Sequence, residues 1–384
     1  MLPALIFRNA FRHKLRSLLT LLGLTVAILA FGLLSTVVEA WYAGAEGASS
    51  ARLVVRNSIS LVFPLPLTYR QKIRQIDGVR AITTANWFGG IYKEPKNFFP
   101  QFAVEASTYL DLYPEFVLSE AEHKDFLHDR QGAVIGEKLA ATYGIKLGDT
   151  MTLKGTIFPG QWAFVVRGIY RGRDAKTDVS QMFFHWDYLN ETMKVRAPRR
   201  ANTVGVYVVE VADPTRVAEI SRVIDGEFGN SYAETLTETE KAFQLGFVSM
   251  TEAIVVAIRL VSYLVIFIIL AVMANTMAMT VRERTAEYAT LKALGFGPPF
   301  VMLLIYGESL AIAALGGGIG IALTFPVATA FAKAMGTLFP VFVVSAKTVW
   351  LQACCALAVG LISALFPARS AARVNIVDGL RSIG

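Results

Sequence analysis

Apolar residues are distributed along the chain on two length scales. At the longer scale, residues 17–38, 260–281, 309–332 and 348–368 contain no Asp, Glu, Lys or Arg. At 1.5 Å of helical rise per residue, about 20 apolar residues cross roughly 30 Å of hydrocarbon, so four transmembrane helices are predicted. At the shorter scale, the long polar stretch 39–251 between the first and second spans holds runs rich in β-branched and aromatic residues. The runs at 52–59, 79–87, 99–105, 162–170 and 203–211 alternate in part and predict strands. Helices are expected at 67–76, starting near Thr68 and stopped by Gly78, and at 214–228, with Asp213 as N-cap, Pro214 in the first turn and Gly229 beyond the end. Ile-Asp-Gly recurs at 76–78 and 224–226, a short internal echo.

From residue 234 to 281 the chain has one glycine, Gly246, and no proline. One continuous helix is expected there, ~72 Å long if unbroken. Its last third fits a membrane, and the rest would form a stalk bearing Glu238, Glu240, Lys241, Glu252 and Arg259. Arg259, ~33 Å from Val281 along such a helix, is expected to snorkel at the outer interface. The resulting fold class is an α-helical membrane protein with four transmembrane helices and a large α+β extracytoplasmic domain inserted between helices 1 and 2. The expected segments are an amphipathic N-terminal helix (1–16), the first span (17–38), the α+β domain with its stalk (39–251), and the second span with its outer extension (252–281). A short connecting helix (282–298), the third span (299–332), a short outer loop (333–347), the fourth span (348–368) and a tail (369–384) complete the chain.

Composition supports the membrane assignment. Hydrophobic residues make up 54% of the chain and charged residues 17%, with mean hydropathy +0.47; soluble domains carry about 25% charged residues. Charge then sets orientation. Arg8, Arg12, Lys14 and Arg16 precede the first span without an acid. The 282–300 connection and the 369–384 tail are also net basic, while 39–251 is nearly balanced. By the positive-inside rule both termini and the connection are cytoplasmic. The pI near 9.3 is therefore a topology signal and not a sign of nucleic-acid binding. The basic start resembles a signal peptide, with small residues at 40–45 for a cleavage site, but 22 uncharged residues exceed an h-region and a retained span is expected.

Candidate chemistry is sparse. Cys354 and Cys355 sit inside the fourth span as small packing residues, with no metal-ligand spacing. His123 and His128 lack the i, i+4 spacing of a helical zinc site, and no Gly-x-Ser-x-Gly elbow accompanies them or His185. No metal site and no enzymatic site is expected. A P-loop is missing too: the sequence at 172–177 shows Lys176-Thr177 without the preceding glycine, as in an ordinary surface turn. Trp87, Phe88, Phe98, Phe99 and Trp162 are expected to pack a core rather than a cargo-facing patch. Glu308 falls ~13 Å into the third span, where a lone carboxylate is costly, so a polar contact inside the bundle is expected, with Ser262 or Thr276 as candidate partners. Gly316, Gly317, Gly318 and Gly320 would allow close helix approach.

The connection between spans two and three carries the most specific pattern. Arg284, Glu287, Leu291 and Leu294 recur at helical spacing, and Gly295 with Gly297-Pro298-Pro299 ends the run, giving a short amphipathic helix. Val281-Arg-Glu-Arg-Thr-Ala-Glu-Tyr-Ala-Thr-Leu-Lys-Ala-Leu-Gly295 resembles the signature of the MacB/FtsX-type ABC-transporter permeases. The N-terminal run from Ala4 to Gly23, Glu308 followed by Gly316-Gly-Gly-Ile-Gly320, and Pro367-Ala-Arg-Ser-Ala-Ala-Arg-Val-Asn-Ile-Val-Asp-Gly-Leu-Arg381 are similar to other segments of that family. Gly132-Ala-Val-Ile-Gly-Glu-Lys-Leu-Ala and Gly148-Asp-Thr-Met-Thr-Leu resemble its periplasmic module.

The resemblance implies a permease in the bacterial inner membrane, working by mechanotransmission. A separate cytoplasmic ABC ATPase would carry ATP and Mg, with no cofactor in this chain. Arg282, Glu283, Arg284, Glu287, Leu291 and Lys292 would form the helix that couples to that ATPase. Tyr288 and Ala289 depart from the family pattern, which loosens partner choice. A second permease copy would complete a homodimer in membrane lipid, and a periplasmic adaptor and outer-membrane channel are further partners of an exporter. Nucleic acid is not among the expected partners. Export or extraction of a substrate is the expected function. The alternatives are a non-transporting regulator that activates a cell-wall hydrolase, or a lipoprotein-extraction permease.

Overall fold

The computed structural model describes residues 2–335, 339 and 341–375. Contacts divide the chain into two units. One comprises Met1–Glu39, Glu252–Ala334 and Phe342–Gly384, and the other comprises Ala40–Thr251 and Met335–Val341.

Helix α1 (Leu2–Ala10) is followed by α2 (Lys14–Gly47), α3 (Glu252–Glu283), α4 (Thr285–Ala293), α5 (Pro298–Met335) and α6 (Ala346–Ala372), all of the first unit apart from the ends of α2 beyond Glu39 and of α5 at Met335. Helices α2, α3, α5 and α6 are long and apolar enough to cross a membrane. Leu24, Ile28, Met273, Ala313, Ala356 and Val359 form an apolar centre where they meet. Large apolar side chains such as Leu19, Val26, Leu260, Phe267, Trp350 and Phe366 stay outside, as a lipid-facing surface requires.

Lipid tails are as apolar as leucine, so packing in such a bundle depends on how closely backbones approach. A Cβ on Gly316 or Gly320 would meet the carbonyl oxygens of Leu21 at 3.1 Å and Thr25 at 2.8 Å, both on α2. On Gly317 it would lie 2.5 Å from the Ala356 Cβ of α6, whereas Gly318 has nothing within 4 Å. Three of the four glycines thus seat α5 against its neighbours, and the fourth faces outward.

In the second unit, the described residues form an eleven-stranded sheet. Its order is Thr235–Thr239, Arg52–Asn57, Val206–Val211, Val79–Trp87, Gln101–Val104, Met182–His185, Gly132–Gly136, Gly160–Gly172, Thr150–Gly155 and Gly90–Tyr92, with Phe116–Val117 pairing onto Gly160–Gly172. Most pairs are antiparallel. Met182–His185 runs parallel to Gln101–Val104, and Gly132–Gly136 runs parallel to Gly160–Gly172. Alternation assigns the side chains to two cores. Leu53, Val55, Tyr207, Val209, Met182 and Phe184 enter one, while Val208, Phe183, Val134 and Val104 enter the other. The chain is a multi-pass membrane protein with a mixed α/β domain between its first and second spans.

Several expectations about this domain change. The single helix from 234 to 281 does not form. Thr235–Thr239 is a strand paired with Arg52–Asn57, because Thr-Leu-Thr-Glu-Thr places β-branched residues at alternate positions. A helix then starts at Glu240, where the Thr239 hydroxyl accepts from the Ala242 N–H, and ends at Ser249. The amide and hydroxyl of Thr251 both reach the Val248 carbonyl at 3.0 Å, closing a turn before α3. Lack of Gly and Pro permits a helix without requiring one. Asp213 caps as expected through the Thr215 N–H, but the first turn, Pro214–Arg216, is 3-10 before Val217–Glu227 turns α-helical. Thr68 precedes Tyr69–Arg74 without a side-chain cap, and Gly78 ends that region at φ +89°.

Candidate functional site

The densest polar cluster of the first unit surrounds α4. Helix α3 stops at Glu283, and Arg284 leaves helical geometry at φ −105°, ψ 15°. Helix α4 ends in a Schellman arrangement. Gly295 has φ +92°, its N–H reaches the Lys292 carbonyl at 3.0 Å, and the Phe296 N–H reaches the Leu291 carbonyl at 3.1 Å. Only a residue without Cβ holds that φ cheaply, so the sequence dictates this end.

Arg284 is 6% exposed and Glu308 1%. The Arg284 Nη1 donates to Glu308 Oε1 at 2.6 Å, its Nε donates to Glu287 Oε2 at 2.9 Å, and its guanidinium lies 5.3 Å from the centre of the Tyr288 ring. Glu308 therefore does meet a polar partner in the bundle, but not Ser262 or Thr276. Those hydroxyls donate to Ile258 and Val272 on their own helix. A buried carboxylate is satisfied far better by a guanidinium than by a hydroxyl. Burial works against the charge on Arg284, yet the Glu308 carboxylate outweighs it and raises its pKa further. Burial likewise opposes the charge on Glu287, but hydrogen bonds from Arg284 and Arg12 hold its carboxyl below the usual range.

Further ion pairs tie α4 and its flanks to the start of the chain. Arg12 pairs with Glu287, and Arg16 forks onto both oxygens of Glu283 at 2.7 Å. Lys292 donates to the carbonyls of Ala372 and Val374 at 2.7 and 2.8 Å, at the C-terminus of α6 where a cation is favoured. The segments before span one, between spans two and three and after span four thus meet at one end of this unit. Tyr288 and Ala289 are fully buried, and Leu291 packs beside them with Val301, Ile305, Ala364 and Ala368.

Of the residues expected on a coupling surface, Arg284, Glu283, Glu287 and Lys292 bind within the chain, and Leu291 is half-buried. Arg282 is exposed. Thr290, Ala293, Leu294, Phe296, Pro298 and Pro299 are exposed beside α4, Leu294 by 71%. The sequence reading missed this apolar strip. It also missed Gln352, fully buried in α6, whose Nε2 donates to the Ile28 carbonyl and Thr324 Oγ1, both at 2.8 Å. A polar residue inside a span was the available signal.

Among the described residues no group of three or more His, Cys, Asp or Glu could hold a metal. Burial lowers the pKa of His185, whose Nε2 lies 2.6 Å from the Phe126 carbonyl oxygen. His128 faces the Lys124 carbonyl within a helix, Glu120–His128, that Ser119 and Glu122 cap reciprocally. Residues 172–177 form a turn in which Asp174 accepts from the Lys176 N–H. Phe88, Phe99 and Trp162 lie in the core, whereas Trp87 and Phe98 are exposed, 6.0 Å apart between ring centres. The end of the closing motif, 376–381, lies outside the described residues, as do 336–338 and 340 of the expected outer loop.

Residues 17–226 match the family model of the MacB-like periplasmic core domain, and residues 259–376 match the FtsX-like permease C-terminal model. An uncharacterised ABC transporter permease of Methanocaldococcus jannaschii is 25% identical, with 98% of this chain and 96% of that protein covered. The macrolide export ATP-binding/permease protein MacB of Sodalis glossinidius is 32% identical over 33% of this chain and 19% of its own length. The crystal structure of the periplasmic region of MacB from Actinobacillus actinomycetemcomitans aligns with TM-score 0.38 at 11% identity, over 53% of this chain and 94% of that one.

Proposed function

The chain belongs to the MacB/FtsX-type ABC-transporter permeases, and we propose that it relays movement of a separate cytoplasmic ABC ATPase to its α/β domain across the inner membrane. ATP and Mg would be held by that partner, and the relayed movement would drive export or extraction of a substrate. Two copies of the chain would form the permease, since one sequence supplies both halves of a two-fold assembly. A periplasmic adaptor and an outer-membrane channel would complete an exporter.

The observation that carries this reading is the state of α4. It is held from within by ion pairs and by buried Tyr288, while Thr290 on the helix and Arg282, Leu294 and Phe296 flanking it are exposed. A short helix anchored from within, with exposed Leu294 and Phe296 just beyond its end, suits transmission of force from a docked protein. The net-basic segments on either side of the spans support a cytoplasmic position for this end, and the 384 residues contain no P-loop.

The test uses the full chain in nanodiscs with a candidate ABC ATPase subunit from the same source. Arg282→Glu combined with Leu294→Asp is expected to weaken capture and stimulation of the ATPase roughly tenfold, as loss of an exposed anchor does. Wild-type binding and stimulation by that variant would refute the assignment. Cysteine labelling at positions 100 and 290 is expected to report opposite sides of the membrane. Capture of an adaptor, a lipoprotein or a cell-wall hydrolase then separates export, extraction and regulation.

A further inference from the structure

Helix α4 joins its neighbours through two points where the backbone departs from helical geometry, each closed by backbone hydrogen bonds. One is the non-helical Arg284, and the other is the Gly295-Phe296-Gly297 turn with its left-handed Gly295. A helix suspended between such joints would swivel when pushed, and a push on its outer face would reach no span. The side chains arranged around the first joint oppose that motion. Arg284, at the break itself, reaches Glu308 on α5 at 2.6 Å and Glu287 on the first turn of α4 at 2.9 Å. One guanidinium therefore joins the joint, the docking helix and the third span.

The N-terminal segment adds a second layer. Arg12 pairs with Glu287, and Arg16 pairs with Glu283. Ile6 fills the space beside Gly307, where a Cβ would come within 2.6 Å of its Cδ1. Asn9 lines the same small pocket as Glu308.

Apolar side chains at 284 and 308 would stabilise the fold as well as a buried ion pair does, and often better. What the pair adds is direction. A forked guanidinium donates to its two carboxylates in one register only.

We propose that Arg284 and Glu308 are a positioning pair, braced by Arg12 and Arg16, that locks α4 to the third span so that displacement of α4 moves α5 instead of being absorbed at the 284 break. The pair touches no ATPase. It acts through the orientation of the helix that does. This rests on the reading of α4 as the docking element, and it moves Arg284 and Glu287 from the partner contact to the internal lock.

The experiment compares Arg284→Met, Glu308→Leu and the double variant in the full chain reconstituted in nanodiscs. Amide exchange over Thr285–Ala293 is measured without a partner, and ATPase binding and stimulation are measured with one. Arg284→Met leaves buried Glu308 without its partner, Glu308→Leu leaves Arg284 with Glu287 alone, and both are expected to lower the thermal midpoint. The double variant is expected to regain the midpoint and bind the ATPase, yet exchange α4 amides about tenfold faster and lose about fivefold of the stimulation. Arg284→Lys, which keeps the charge but loses the fork, is expected to fold and show the same split between binding and stimulation, which keeps the test decisive if the double variant is poorly folded.

Wild-type exchange together with wild-type stimulation in the double variant and in Arg284→Lys overturns the proposal. If the wild-type chain binds and stimulates no ATPase, the docking reading fails instead, and the exchange rates still decide whether the pair positions α4.

Discussion

Two buried arginines, one in each unit, are built from the same parts and do different work. In the α/β domain, Arg52 donates from Nε to Glu240 at 2.7 Å, from Nη2 to Glu115 at 2.5 Å and from Nη1 to the Leu112 carbonyl at 2.9 Å, with its guanidinium 4.2 Å from the Tyr113 ring centre. In the helical unit, Arg284 meets Glu308, Glu287 and Tyr288 in nearly the same way. Both are 6% exposed. The difference lies in what holds their backbones. Arg52 sits in a strand paired on both sides, so the ladder fixes it and its side chain fastens loops onto a sheet that is already rigid. Arg284 sits at a break between helices, where its N–H reaches the Thr280 and Val281 carbonyls at 3.2 and 3.3 Å and its carbonyl accepts from the Tyr288 N–H, with no neighbouring strand to hold it. The surroundings differ as well. A cavity of about 390 Å³, lined by Gly44, Tyr109, Phe243 and others, opens beside Arg52 and its two carboxylates, whereas the buried Glu308 borders a pocket of only about 20 Å³. The same constellation is a fastener in one unit and a joint in the other.

That comparison makes three predictions, in descending size. Arg284→Met should cost the most, about 3–5 kcal/mol, because it strands the buried Glu308 beside a pocket too small to solvate a carboxylate. Thermal unfolding of the full chain in nanodiscs checks this, and a loss below that of Arg52→Met would break the comparison. Arg52→Met should cost less, about 1.5–3 kcal/mol, since water in the adjoining cavity can reach Glu115 and Glu240. Amide exchange should accelerate at Glu240–Ser249 and leave the Arg52–Asn57 strand protected; exchange of that strand at the same accelerated rate would show that the ladder does not hold it.

The smallest effect concerns pH. The folded-state pKa of Glu287 is depressed below the usual 4.5, so its contribution to anchoring α4 is complete above that value and is lost as pH falls through the lower, folded one. Exchange over Thr285–Ala293, corrected for its intrinsic pH dependence, should accelerate below about pH 4.5. Glu287→Gln should flatten that response. An unchanged profile in the variant would assign the acid sensitivity elsewhere.

Legibility in the sequence followed the range of the interaction that decided each feature. The spans, the Asp213 cap and the Gly295 stop depend on residues within one turn or one run of their own position, and they were readable. So was the pattern from Arg284 to Leu294, because helical periodicity is local. The strands at Gly132–Gly136, Thr150–Gly155, Met182–His185 and Thr235–Thr239 went unread. Each has only four to six residues, and each is specified by neighbours across the sheet more than by its own propensity. The exposed and internal faces of α4 were also mixed in the sequence reading. Charge marks a solvent-facing side only when no partner waits opposite, and Arg12, Arg16, Glu308 and the end of α6 lie far away along the chain.

From its sequence this protein was bound to be a four-span membrane protein with a large polar insertion and a short amphipathic helix between spans two and three, since hydrophobic length, charge asymmetry and glycine stops act locally. Tertiary structure alone decided which glycine packs against which helix, that residues 235–239 complete a sheet, and that Glu308 finds Arg284. The physical reason is common to all three. A buried carboxylate, a bare backbone surface and an unpaired strand edge each require a partner, but only the folded chain determines which distant residue supplies it.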